Sequence, residues 1–491
     1  MLTTIVVVMA IYFAVMILIS WMGKKHATNF SDYLSAGKSA GIVMIIGGSM
    51  GAHIGNGLVV GGGAEGASLG LGGAAYGIGC CISYLVVAAL MSRFVYKRGY
   101  LSLAEFLRER YHSELPSQIY NIATTCSYVG LIGGQLMAGG ALFEALGMNR
   151  LLGIIVIAVI VFLYSQISGL WGAFATSVVQ SAVILVGLFA AGAYLISDGA
   201  WLQIQSAVTA GEAPAYYTSM WGAYTPAALV GLMVPVSLMV ITDQCTYQRI
   251  SSAKTLAAST WGHILSAFLM VPVCILPVII GMYGHVRFGA SGNSAFFTVI
   301  LNILPPLVGA LVVTAVIAAV MSTIDAAFIA FSQVLLNDLY KNHINKKVTD
   351  QQLSKMTLGL NVTVTVIGVV FAMTANSLVG LLSNCYLFME AACLVPFLGG
   401  RWFKKATKQG AIAASIVGCL IAVLQMFGIY ALPYAALTMF IPSLIVFIVV
   451  SLMTQKDAEP QAEALQEEPA VAAVVAEEAV LTGAKANAEV E

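Results

Sequence analysis

The chain is 491 residues long, 59% hydrophobic and 9% charged, and its Lys and Arg balance its Asp and Glu to a formal net charge of zero. A mean hydropathy of +0.91 excludes a soluble globular domain and gives no basic surface for nucleic acid. The composition is that of an all-α polytopic membrane protein.

Thirteen apolar stretches are expected to cross the bilayer, roughly at 3–22, 40–64, 70–94, 118–145, 150–167, 170–196, 225–245, 260–284, 306–337, 355–374, 377–398, 409–427 and 432–453. With the N-terminus outside, alternate loops beginning at Lys24 and Lys25 face the cytoplasm. These loops, their helix ends and the tail hold 20 of the 22 Lys and Arg, and only Arg150 and Arg287 lie on the other side. That asymmetry supports the count, the topology and a cytoplasmic C-terminus. The first stretch has no small-residue cleavage site before the basic loop and reads as a retained helix. Residues 1–456 carry 21 basic and 13 acidic side chains, whereas 457–491 carry one Lys and nine acidic residues. This tail lacks a packable apolar pattern and is expected to be disordered, with a regulatory role as one option. Seven of the eight cysteines fall inside spans and Cys245 at a span's end. None has metal-type spacing with His, so they read as small core residues.

No loop is long enough for an enzyme domain, the longest being about 28 residues. No G-x-x-x-x-G-K-[ST] loop is present, so ATP hydrolysis does not drive the chain from within. SLAEFLRERY at 102–111 has capping-box spacing between Ser102 and Glu105 and predicts a short helix on the cytoplasmic surface.

The second stretch, GGSMGAHIGNGLVVGGG, places glycines at 47, 48, 51, 55, 57, 61, 62 and 63. Each costs about 1 kcal/mol relative to alanine in a helix interior. Two readings stand: the span breaks near its middle and turns freed carbonyls toward a cation, or the glycines let neighbouring helices pack closely. The seventh stretch carries Gly231 and Pro235 near its centre, which marks a second interruption or a simple kink. Interruptions in corresponding positions of two halves point to inverted repeats, spans two to six forming one half and seven to eleven the other. In the ninth stretch, residues 307–336 contain a single charged side chain, Asp325. Ala319, Ser322 and Thr323 stand there at i, i+3 and i+4, so one carbonyl and two hydroxyls can face one point. These oxygens plus two carbonyls of a broken second span suit a hard monovalent cation; the alternative is that both hydroxyls bond back to the preceding turn.

AAVMSTIDAAFIAFSQVLLNDLYK at 318–341 resembles the signature helix of the sodium:solute symporter family, with its M-S-T-x-[DN] segment and D-[LI]-Y-[KR] ending. SDYLSAGKSAG (31–41), SLAEFLRERY (102–111), SGLWGAFATSVVQ (168–180) and DQCTYQRISSAK (243–254) extend the resemblance over about residues 1–453. It implies thirteen transmembrane helices in a leucine-transporter-like inverted 5+5 repeat, with one extra N-terminal and two extra C-terminal helices. The expected organisation is an N-terminal helix and cytoplasmic loop (1–39), a first repeat with its extracellular loop (40–224), a second repeat (225–400), C-terminal helices (401–456) and the acidic tail (457–491). The resemblance also implies a sodium ion held by backbone oxygens of Ala52, Gly55 and Ala319 and by the hydroxyls of Ser322 and Thr323. Asp325 then lies beside the ion-bearing turn without being a direct ligand.

Two departures from the family's pattern stand out. Thr176-Ser177-Val178-Val179-Gln180 replaces a T-D-x-x-Q motif, and Ile54 replaces an aspartate that some members carry, next to an unexpected His53. His53 reads as a buried neutral imidazole or as a modulating group. Asn56, Gln135 and Tyr386, on the helices that surround the solute in the family, are the candidate substrate contacts, and Glu390 and Glu65 are further buried-charge candidates, with interfacial snorkelling an equal reading for Glu65. The resulting expectation is a sodium-coupled symporter in the bacterial cytoplasmic membrane, importing a small organic solute, a small carboxylate or an amino-acid-like compound, with no cofactor beyond the ion. Proton coupling on the same fold and a solute sensor signalling through the tail are the rival readings.

Overall fold

The computed structural model describes residues 1–26, 29–374, 378–429 and 435–455; the acidic tail lies outside them. Among the described residues there is no strand. The principal helices are α1 (Leu2–Gly23), α2 (Ile42–His53), α3 (Asn56–Leu69), α4 (Ala75–Leu90), α5 (Glu114–Ala145), α6 (Arg150–Ser197), α7 (Pro226–Thr242), α8 (Gln244–Ser252), α9 (Leu256–Phe288), α10 (Pro306–Ser332), α11 (Asp350–Thr374), α12 (Leu378–Trp402), α13 (Lys408–Met426) and α14 (Ala435–Met453). Leu163, Val186, Phe189, Phe268 and Val366 project outward, while Ser, Thr, Asn and Gln side chains sit inside. That distribution suits a hydrocarbon solvent, which leaves polar groups to find partners within the protein.

Among the described residues, eight helices are long and apolar enough to cross a membrane, or nine if one bent pair counts as a span. A break shortens the expected second span and a kink fuses the fifth and sixth, while the eleventh and thirteenth include residues outside those described. At 48 residues, α6 is about 72 Å long, more than two bilayer crossings. It turns at Gly169 (φ 54°, ψ −149°), between the expected fifth and sixth spans, where a Cβ would strike Tyr33 at 2.7 Å. A π-helical stretch, Gln333–Ile344, carries α10 beyond its expected end.

α10 lies at the centre, every residue from Val312 to Ser332 buried, and packs along α6. Its small side chains (Ala310, Ala315, Ala318, Ala319) allow that approach. Both readings of the glycine-rich span hold at different residues. The helix breaks only at Ile54 and Gly55, while Gly47 and Gly48 pack on Val178 and Phe174 of α6, where a Cβ would approach to 2.5 and 2.3 Å. Farther along, a Cβ on Gly66 would lie 2.2 Å from the Val278 carbonyl oxygen of α9.

The seventh span is not interrupted where its glycine and proline suggested. α7 runs through Gly231 and Pro235 and breaks at Asp243, beyond which α8 departs at 53°. The helix Leu103–Tyr111 forms as its cap predicts, with Ser102 Oγ accepting from Glu105 N at 3.3 Å and Glu105 Oε2 accepting from Leu101 N at 2.8 Å. It is more embedded than a surface helix: Arg110 Nε donates to Gly400 O at 2.7 Å and Tyr111 Oη to Pro396 O at 2.6 Å, docking it on α12.

Candidate functional site

The first break frees a donor and an acceptor near the middle of the bundle. In an unbroken helix Asn56 N–H would donate to Ala52 O; here it donates to Gln135 Oε1 on α5 at 3.1 Å. Gly55, extended at φ −84° and ψ −180°, lets Gln135 and Thr323 close over the gap. A Cβ at this position would lie 2.7 Å from Gln135 Nε2 and 3.3 Å from Thr323 Oγ1.

Across the gap, Ser322 Oγ and Thr323 Oγ1 each lie 3.1 Å from Ala319 O, as the back-bonding alternative expects. Thr323 Oγ1 also lies 3.3 Å from Gly51 O, so its one hydroxyl hydrogen has two acceptors. The first broken span and the α10 triplet therefore meet, at the Gly51 carbonyl and not at the expected carbonyls of Ala52 and Gly55. Ser177 of α6 stands beside them, its Oγ 2.6 Å from where a Gly51 Cβ would be.

A cavity of about 420 Å³ opens from this junction and runs along α3. Gly55, Thr323, Gln135 and Tyr386 line it, with Tyr76, Tyr224, Met239 and Cys274 farther out. The expected solute contacts thus separate. Gln135 and Tyr386 face the cavity, whereas Asn56 is buried outside its lining and takes part through its backbone N–H.

His53, the last residue of α2, ties the first break to the second. Its Nδ1 is 2.6 Å from Tyr84 Oη and its Nε2 is 3.2 Å from Asp243 Oδ2. Asp243 in turn accepts from Tyr128 Oη at 2.5 Å. Arg249 of α8 donates from Nε to Gly48 O at 2.9 Å and from Nη1 to Cys245 O at 2.8 Å, so a buried guanidinium serves carbonyls of both broken spans. Beyond it, Ala40 N donates to Ser252 O at 3.0 Å and Lys254 N to Ala40 O at 2.8 Å, a two-bond peptide bridge.

The family model described as sodium:solute symporter family matches residues 33–418. The chain belongs to the sodium:solute symporter family. Similar curated proteins include a sodium/proline symporter of Staphylococcus aureus, 24% identical over 92% of this chain and 93% of its own. The high-affinity proline transporter PutP of Bacillus subtilis is likewise 24% identical, over 90% of this chain and 97% of its own. Among solved structures, a Na+-coupled sialic acid symporter in a substrate-bound outward-open state aligns with a TM-score of 0.77 at 15% identity, over 94% of this chain and 99% of that one. A nucleobase-cation-symport-1 family transporter aligns at 0.58, with 16% identity over 88% and 96%. Membership makes the chain a multi-pass membrane transporter and not an enzyme, with sodium as the family's coupling ion.

Within this symporter, Asp325 lies away from the cavity lining, against α6, where Thr176 Oγ1 donates to its Oδ2 at 3.3 Å. The segment that lacks the family's aspartate is therefore beside a carboxylate supplied by α10. Glu390 is buried on α12, one turn beyond Tyr386, and Glu65 lines the cavity's far end. Sequence reading missed the roles of Asp243, Tyr84, Tyr128 and Arg249. Asp243 and Arg249 sit in the quoted DQCTYQR motif, where an acidic and a basic residue beside an apolar run looked like a span's aqueous end.

Proposed function

We propose that this symporter couples sodium entry to uptake of a small amino-acid-like solute by alternating access around the break in its first broken span. The observation that carries the proposal is the meeting of that break with Ala319, Ser322 and Thr323 beside a cavity whose wall includes Thr323 and Gly55. Backbone oxygens of Ala52, Gly55 and Ala319 and the hydroxyls of Ser322 and Thr323 form the ion site. An arriving ion turns both hydroxyl hydrogens away from Ala319 O and draws on their lone pairs instead.

Gln135 and Tyr386 contact the solute, and His53 and Asp325 shape the surroundings without ligating the ion. The arrangement is the thirteen-span, inverted 5+5 topology with the N-terminus outside and the C-terminus in the cytoplasm, supported by the basic-residue asymmetry. The amino-acid reading draws on the two relatives named for proline. Each sodium ion contributes about 2.3 kcal/mol per 100 mV of membrane potential, in addition to its concentration gradient.

The test is the melting temperature of the purified protein in detergent, titrated with NaCl against choline chloride at constant ionic strength. Binding to the folded state stabilises it by RT ln(1 + [L]/Kd), so a saturating, sodium-specific rise is expected and Ser322→Ala plus Thr323→Ala removes it. Equal responses to sodium and choline overturn the ion site. The His53–Asp243 pair favours proton coupling as a second reading, and uptake that follows an imposed pH gradient while ignoring sodium would select it.

A further inference from the structure

The cavity is chemically lopsided. Among the described residues no Lys or Arg lines it, and its acidic and imidazole lining is His53 and Glu65. His53 has both ring nitrogens facing protein partners, Tyr84 and Asp243, and so has no ring nitrogen to offer a solute. Glu65 is the opposite case: among the described residues no hydrogen bond or ion pair engages its carboxylate, and Ser68 Oγ donates to its backbone carbonyl instead.

Glu65 is also aimed by its helix. Gly57, Gly61 and Glu65 recur at i, i+4 and i+8 on α3 and all line the cavity, so a floor without side chains leads from the break to the carboxylate. Eight helical steps make that floor roughly 12 Å long, less the inward reach of the side chains at either end. Tyr224, on the loop before α7, also lines this outer end. Its Oη donates to Gly72 O at 3.0 Å, which holds the side chain at this end. A half-buried, unpaired carboxylate in a cavity that tyrosines also line is a setting for an organic cation.

The opposite end presents donors. Gln135 spends its Oε1 on Asn56 N–H, which leaves Nε2 over Gly55 with no partner among the described residues. The α3 macrodipole points the same way, with its positive end at the break and its negative end near Glu65.

We infer that Glu65 forms a second subsite, for the ammonium group of an elongated zwitterion whose carboxylate lies at Gln135 and the break. This rests on the proposed sodium site only for the ion's added attraction on the carboxylate. An unsubstituted monocarboxylate leaves Glu65 buried against the solute without a counter-charge, and a compact zwitterion such as proline does not reach it.

The experiment measures melting temperature at saturating NaCl with 6-aminohexanoate, hexanoate and proline, for the wild type, Glu65→Gln and Glu65→Asp. In the wild type 6-aminohexanoate is expected to act at concentrations at least about tenfold lower than hexanoate, as a charge-assisted hydrogen bond implies. Glu65→Gln abolishes that difference, Glu65→Asp keeps part of it, and the response to sodium alone is unchanged in both. Equal action of 6-aminohexanoate and hexanoate, no response to 6-aminohexanoate, or a preference that survives Glu65→Gln each overturns the subsite. Loss of the wild-type response to sodium alone overturns the ion site instead, so the two failures are separable.

Discussion

The two broken spans interrupt their helices in similar ways but are held by side chains that face different surroundings. The first opens over Ile54 and Gly55 and relies on distant residues: Gln135 takes the freed Asn56 N–H, and Thr323 reaches Gly51 O. The second turns at Asp243 alone: Thr246 N donates to Asp243 O at 3.0 Å, as Leu58 N does to Gly55 O at 3.1 Å in the first, and Tyr120 Oη of α5 donates to the freed Thr242 O at 3.2 Å. The Asp243 side chain then binds outward to His53 and Tyr128. Both breaks are completed by other helices, but the partners of the first, Gln135 and Thr323, line the cavity, whereas Asp243, Tyr120 and Tyr128 at the second do not. The first is suited to sensing an ion and a solute, and the second to acting as a fixed mount for the first.

The contrast sets an order of effects. Asp243→Ala strands His53 and Tyr128 in a buried setting and is expected to cost about 3–5 kcal/mol of stability, read by denaturation in detergent. A cycle with His53→Ala should return a coupling of about 0.5–3 kcal/mol; additive losses would mean that the two spans are not joined there. Gln135→Leu leaves Asn56 N–H unsatisfied and is expected to cost about 1–3 kcal/mol, whereas Gln135→Glu keeps the acceptor and stays near wild-type stability. If Gln135→Leu proved costlier than Asp243→Ala, the assignment of mount and sensor would reverse. Thr323→Val has the smallest expected stability effect, about 0.5–1.5 kcal/mol, yet it should sharply weaken the sodium-specific melting shift. A full shift in that variant would leave the triplet as packing only.

The sequence spoke most clearly where chemistry was local. Glycine density in the second span marked a helix that would not run straight, and the i, i+3, i+4 triplet defined one face of α10 before any neighbour was known. The Ser102 and Glu105 spacing gave a cap for the same reason. The second break was misplaced because Gly231 and Pro235 carry the usual signals of interruption, whereas Asp243 breaks its helix with an ordinary extended conformation (φ −75°, ψ 125°) and tertiary partners. Asn56 was taken for a solute contact because its helix was right; which way its side chain points depends on the exit angle from Gly55. Arg249 was counted among the basic loop residues, although it is 2% exposed. Burial of that kind depends on a Gly48 carbonyl about two hundred residues away.

The bridge between Ala40 and residues 252–254 is made wholly of main-chain atoms. Any side-chain truncation leaves it intact, so alanine scanning passes over it in silence. Proline at position 40 is different, because it deletes the N–H that binds Ser252 O. The link between one end of each broken span is thus written in the peptide backbone, and its removal calls for an imino acid.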